Sequence, residues 1–185
     1  MARGLGKVTA NKTITAVAAD TNGLKFIYGT TWETNNINIS MPAGTFTNTY
    51  RTHLVVGWCD ALDNGVPPAQ LRIMKNGVQS GSSTYYGGYI YGSHSSIMGV
   101  VDNAAASKWE FSFGGPGCNF TLWVQNAMDT TYKGRPSVQG TFQSGYGFGT
   151  FGGVVLDYAH DFDGLHFMFG STTTGGYKVY GLANS

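Results

Sequence analysis

The residues best equipped for chemistry cluster near the end of the chain, where Asp157, His160, Asp161, Asp163 and His166 fall within ten positions. Asp and His ligate metals, and Asp161 and Asp163, two apart, point the same way in extended chain. The segment lacks a fixed ligand spacing and a Cys partner, so the reading is a structural loop with no metal. Asp163-Gly164 reads as a turn between strands, and His166, between Leu165 and Phe167, as a surface or interface imidazole. Acid–base pairs are scarce. Glu33 and Glu110 are the only glutamates, and nothing pairs the aspartates across a sugar as glycoside hydrolysis needs. No Gly-x-Ser-x-Gly elbow is present. No glycine run carries Gly-Lys-Ser/Thr or opens a helix, which a phosphate loop requires. The chain therefore reads as non-enzymatic, without catalytic residues or cofactor.

Aromatic rings offer a different chemistry. Tyr85, Tyr86, Tyr89 and Tyr91 are divided by Gly87 and Gly88, and Tyr146 and Phe148 lie in the glycine-rich stretch 145–153 together with Phe151. A tyrosine presents a flat apolar face and a hydroxyl, which suits sugar rings and protein surfaces alike. These six, Tyr85, Tyr86, Tyr89, Tyr91, Tyr146 and Phe148, are the candidate ligand-binding residues. The competing reading is that they pack on a sheet or cover its end.

The elements that must position these rings are strands. Charged residues are 11% of the 185, against roughly 25% in an ordinary soluble domain, and Gly, Thr, Ser and Asn take their place. With 14% aromatics, this is the composition of strands joined by tight turns. Extended runs are predicted near 13–18, 24–29, 36–41, 50–62, 70–75, 84–91, 95–101, 108–113, 119–126, 136–142, 153–159, 164–169 and 176–182. Several alternate with period two: Trp109, Phe111 and Phe113 share one face; so do Phe120, Leu122 and Val124, and Leu165, Phe167 and Phe169. Asn22-Gly23, Asn64-Gly65 and Asn76-Gly77 tolerate positive φ and mark turns. Many short strands at this spacing imply an all-β, two-sheet antiparallel β-sandwich. Residues 1–12 read as a flexible arm and 13–185 as one domain.

A net charge of +1 gives no electrostatic reason for nucleic acid or membrane as the main partner. A surface poor in Lys and Glu resembles an interface, so contacts with like or unlike subunits are expected. Cys59 and Cys118 read as two buried thiols, with pairing left open. The N-terminus has no apolar signal core and no run is long enough to span a bilayer, so synthesis in a cytosol is expected. The sequons at Asn11, Asn38 and Asn119 are then inert.

The last stretch carries a resemblance. Asp163-Gly164-Leu165-His166-Phe167-Met168-Phe169 is followed by a Ser/Gly/Thr loop and by Gly176-Tyr177-Lys178-Val179-Tyr180-Gly181-Leu182. This resembles the ending of a group of tailed-phage virion proteins, in which "D-G-I-x-F-x-F" leads into "G-x-x-x-L-Y-G-I". The likeness covers roughly residues 50–182, and its specific part is the last twenty. It implies a jelly roll in a tail fibre, head fibre or capsid decoration, with structural or adhesive work and no catalytic residues. The chain lacks a shaft or heptad segment, which favours a compact knob or decoration protein. The implied partners are the chain itself, as a homotrimer, and other virion proteins, with a host surface glycan as the alternative. The implied location is the virion, after synthesis in the host cytoplasm. A last strand lying within a sheet would set Tyr177 and Val179 on one side and Lys178 and Tyr180 on the other, with Gly181 ending it.

Overall fold

The computed structural model describes residues 23–61, 69–79, 85–93, 97–112, 117–129, 131, 135–143, 148–156 and 161–182. The predicted arm and the run at 13–18 lie outside them. Every regular element among them is a strand: β1 (Leu24–Ser40), β2 (Thr52–Ala61), β3 (Ala69–Lys75), β4 (Val78–Gln79), β5 (Tyr85–Ser93), β6 (Ile97–Ala106), β7 (Trp109–Ser112), β8 (Gly117–Gln125), β9 (Arg135–Gln143), β10 (Phe148–Leu156) and β11 (Gly164–Leu182). All pairings are antiparallel, in the order β4-β3-β11-β2-β8-β9-β10-β5-β6, with β1 on β11 and β7 on β3. Two antiparallel sheets pack together as a sandwich. No helix among the described residues is long and apolar enough to cross a membrane.

The longest strands, β1 and β11, run through both layers. Gly164–Met168 of β11 pair with β3, whereas Thr173–Leu182 pair with β2. β1 follows β11 around the change of layer, with register shifts between Trp32 and Asn36 and between Asn36 and Asn38. The sequence pattern splits each of these into two short strands, at 24–29 and 36–41 in β1 and at 164–169 and 176–182 in β11, where the glycine-rich stretch 170–176 reads as a loop. The structure joins them: the β1–β11 ladder runs up to the bend from either side, and Asn36 opposite Thr173 bridges it. Trp32 holds the corner: its indole N–H donates to the Thr173 hydroxyl at 3.2 Å, and its ring stacks on Phe169 with centroids 5.8 Å apart. A Cβ on Gly175 would lie 2.3 Å from the Trp58 carbonyl oxygen and 2.6 Å from the Trp32 ring. Only hydrogen fits there.

Between the layers lies one core. Val55 from β2, Phe120, Leu122 and Val124 from β8, Leu71 and Ile73 from β3, Trp109 from β7, and Leu165, Phe167, Tyr177 and Val179 from β11 are all buried. Phe120 meets Phe167 across the interior at 5.4 Å, and Phe167 meets Tyr177 at 5.7 Å, so the two halves of β11 face each other through their rings. The alternations of β8 and β11 therefore lie as read. In β7, Trp109 is buried; the side chain of Phe111, and Phe113, lie outside the described residues. Asn76 (φ 51°) and Gly77 (φ 79°) turn β3 into β4 with Lys75 opposite Val78, the two-residue hairpin their types predict.

Asp163 lies in the connection expected ahead of β11 and also anchors it: its carboxylate accepts the Asn76 N–H at 3.1 Å, and its carbonyl accepts the Phe46 N–H at 2.8 Å. Two readings are corrected. His166 is buried, not at the surface, because Ser40 and Arg72 flank it on the neighbouring strands. Gly181 does not end the last strand, which continues to Leu182. Its hydrogen lies beneath the Tyr50 ring, where a Cβ would approach to 2.3 Å.

Candidate functional site

The six candidate aromatics divide. Tyr85 is wholly buried, and its hydroxyl accepts the Ile73 N–H at 2.7 Å. Burial pushes its pKa up to about 12. Tyr86 is 44% exposed. Alternation across a strand separates the two neighbours: one ring completes the core and the other meets solvent. Tyr89 and Tyr91 belong to β5 and Phe148 opens β10; their side chains, and all of Tyr146, lie outside the described residues. The backbone joins the two segments the sequence kept apart. β5 and β10 are neighbours, with Tyr89 opposite Gly152, Tyr91 opposite Thr150 and Ser93 opposite Phe148.

The Asp/His segment disperses. Asp157 and His160 lie outside the described residues. Asp161 pairs with Lys75 at 2.6 Å in a partly exposed bridge, Asp163 holds Asn76, and the Nδ1 of His166 is hydrogen-bonded to the Ser40 hydroxyl across 2.8 Å. Burial first, and the nearby Arg72 guanidinium second, push the His166 pKa down, so the ring is neutral at pH 7. Among the described residues no three His, Cys, Asp or Glu groups converge as a metal site would require. A cavity of about 200 Å³ follows the bend of β1, lined by Tyr28, Thr30, Trp32, Asn38 and Ser40 among others.

The feature the sequence reading missed is an outer sheet face. Where β1, β11, β2 and β8 run side by side, the residues opposite the core are Leu24, Leu182, Thr52 and Gln125; then Phe26, Tyr180, Leu54 and Trp123; then Lys178, Val56 and Thr121; then Gly176, Trp58 and Asn119. Four of the apolar ones are exposed: Leu24 49%, Val56 41%, Leu182 40% and Trp58 37%. Phe26 and Tyr180 touch edge to face at 5.8 Å. The Trp58 indole lies against Gly176, where a Cβ would come within 2.4 Å of the ring. Lys178 interrupts the face and Asp60 stands at its end. A signal was present. In Leu54-Val55-Val56-Gly57-Trp58 apolar residues occupy both faces of a strand, the pattern of a sheet covered on both sides.

The chain matches no family model. No curated protein matches it, and no solved structure does.

Proposed function

We propose that this chain is a non-enzymatic structural protein of a tailed-phage particle. In this reading it is a jelly roll displayed on the particle as a capsid decoration, head fibre or tail-fibre knob, and it assembles as a homotrimer through the outer face of β1, β11, β2 and β8. The observation that carries the reading is that face: contiguous, apolar on three adjoining strands, and turned away from the core. Contiguous exposed apolar surface is rare on monomers and marks interaction sites, and depletion of charge with enrichment of aromatics is the signature of an interface centre. A symmetric assembly would also cover sheet edges that otherwise invite aggregation.

The resemblance of the C-terminal stretch supports the phage assignment, and its residues do structural work in this chain. Asp163 anchors the β3–β4 turn, Leu165, Phe167 and Tyr177 fill the core, and Gly176 and Gly181 seat the Trp58 and Tyr50 rings. The test is location. An antibody raised against the chain labels purified tailed particles at regular positions if the reading holds, and labelling confined to the soluble fraction of lysed cells overturns it.

A glycan-binding adhesin is the second reading, favoured by the exposed rings of Trp58 and Tyr86, since one face of an indole or phenol stacks on a sugar. Binding of the purified chain to host cells, abolished by Trp58→Ala or Tyr86→Ala, separates it from a purely architectural role.

A further inference from the structure

The cavity of about 200 Å³ lies in the crook of β1, with Tyr28, Thr30, Thr31 and Trp32 on one side of the bend and Asn38 and Ser40 on the other. Among the described residues β1 pairs only with β11, so the crook opens at the margin of the sandwich. None of the residues that line it carries a charge; they offer threonine and serine hydroxyls, a phenol, an amide and an indole. Thr31 and Asn38 are exposed, whereas Tyr28 is half-buried and Trp32 buried. Behind the crook, Thr30 lies opposite Tyr177. The Tyr177 ring centroid is 6.0 Å from that of Tyr28 and 6.3 Å from that of Trp32. The Tyr177 hydroxyl is buried and has no hydrogen-bond partner among the described residues. Buried polar groups in native proteins are almost always satisfied. An unmet hydroxyl beside two of the rings that line a cavity is therefore a second, independent sign of a hydrogen-bonding occupant.

The lining selects the chemistry of that occupant. A charged group would enter without a counter-charge. A wholly apolar one would leave the hydroxyls and the amide unpaired. A neutral ring carrying several hydroxyls meets both conditions, pairing its polar edge and laying its carbon face on an aromatic side chain. The volume is below the roughly 300–1,000 Å³ of a site for a drug-sized molecule, so it admits one ring and not a chain of them. We propose that the crook of β1 binds a single neutral hexopyranose unit, its hydroxyls bonded to Thr31 and Asn38 and its ring set against Tyr28 and Trp32. The proposal rests on the glycan-binding reading and moves the sugar from Trp58 and Tyr86 to β1.

The test is saturation-transfer NMR on the purified full chain with the methyl glycosides of glucose, galactose and mannose, and with glucuronate as the charged comparison. Saturation of the protein should reach the ring protons of at least one neutral glycoside, with a dissociation constant in the millimolar range of so small a ligand. Thr31→Val and Asn38→Ala, both at exposed positions, should each weaken binding about fivefold, the worth of one hydrogen bond. No transfer to any neutral glycoside, tighter binding of glucuronate, or binding that neither substitution weakens would overturn the proposal. If one variant fails to fold, the other and the wild-type titration still decide. Host-cell binding lost in Trp58→Ala but kept in Asn38→Ala overturns the cavity site and leaves the adhesin reading standing. Glycoside binding lost in Asn38→Ala, with no host-cell binding at all, upholds the cavity site and removes the adhesin reading.

Discussion

The same two strands build two unlike outer surfaces. Over its second half β1 lies with the first half of β11 and with β3, and the middle outward row there is Ser40, His166 and Arg72, flanked by Met168 on one side and Met74 on the other, with Gln79 of β4 3.5 Å from an Arg72 nitrogen. Over its first half β1 lies with the second half of β11 and with β2 and β8, and the outward rows carry Leu24, Phe26, Tyr180, Leu54, Val56 and Trp58, interrupted by Lys178, Thr121 and Asn119. The inward residues of both halves are alike, being Leu, Val and aromatic. Two strands that cross a corner together thus expose a polar, internally hydrogen-bonded face on one layer and an unsatisfied apolar face on the other. The core requires no such asymmetry, because it demands only one apolar face per sheet. On the proposed reading, this second apolar face is the one through which copies of the chain meet.

The largest effect is expected where the two layers meet. Phe167 touches Phe120, Phe169 and Tyr177. Phe167→Ala should cost roughly 3–5 kcal/mol of stability, the usual range for a buried Phe, in a single urea transition. Two separate transitions would show that the layers are independent units and dissolve the comparison.

Acid should act next, and from within. His53 is wholly buried between Phe46 and Tyr50. Its Nε2 accepts the Thr47 N–H at 3.3 Å, and burial lowers its pKa to about 4. The unfolded chain takes up the proton below its ordinary value of 6.5, while the folded chain resists until about 4. The stabilisation is therefore complete above pH 6.5 and is lost as pH falls towards 4, by up to about 3 kcal/mol. Urea unfolding at pH 7 and pH 4.5 measures it, and His53→Gln should flatten the difference.

The faces themselves are separated by two surface changes. Val56→Glu should abolish self-association while leaving stability within about 1 kcal/mol, as exposed substitutions usually do. Smallest of all, Ser40→Ala on the polar face should cost about 1 kcal/mol, one hydrogen bond's worth, and leave association untouched. Light scattering alongside urea unfolding reads both. A Ser40→Ala protein that dissociates would move the docking surface to the other layer.

Much of this architecture could be read from residue types. Phe120, Leu122 and Val124, and Leu165 and Phe167, alternate with polar or small neighbours, so their burial follows from period two. Asn76-Gly77 names its turn by its φ tolerance. What could not be read has a physical cause in each case. The corner is made of Gly, Ser and Thr in β11 and of Thr and Asn in β1, types that also make loops, and Trp32 with the Asn36–Thr173 pairing ties its two sides together. Tyr85 and Tyr86 are chemically identical, and the choice of which one enters the core depends on which side β7 and β3 occupy. His166 looked exposed because it alternates with Leu165 and Phe167, yet Ser40 and Arg72 cover it from strands far away in sequence. The apolar outer face was hidden in β2 because a strand apolar on both sides looks the same whether its second cover is its own chain or another.

The most direct measurement is sedimentation equilibrium of the wild-type chain and of Val56→Glu over a wide concentration range. Docking through the Val56–Trp58 face predicts a wild-type mass three times the 19.8 kDa of one chain and a folded, single-chain mass for the variant. A wild-type protein that stays a single chain at every concentration, or a variant that assembles as well as the wild type, would contradict it.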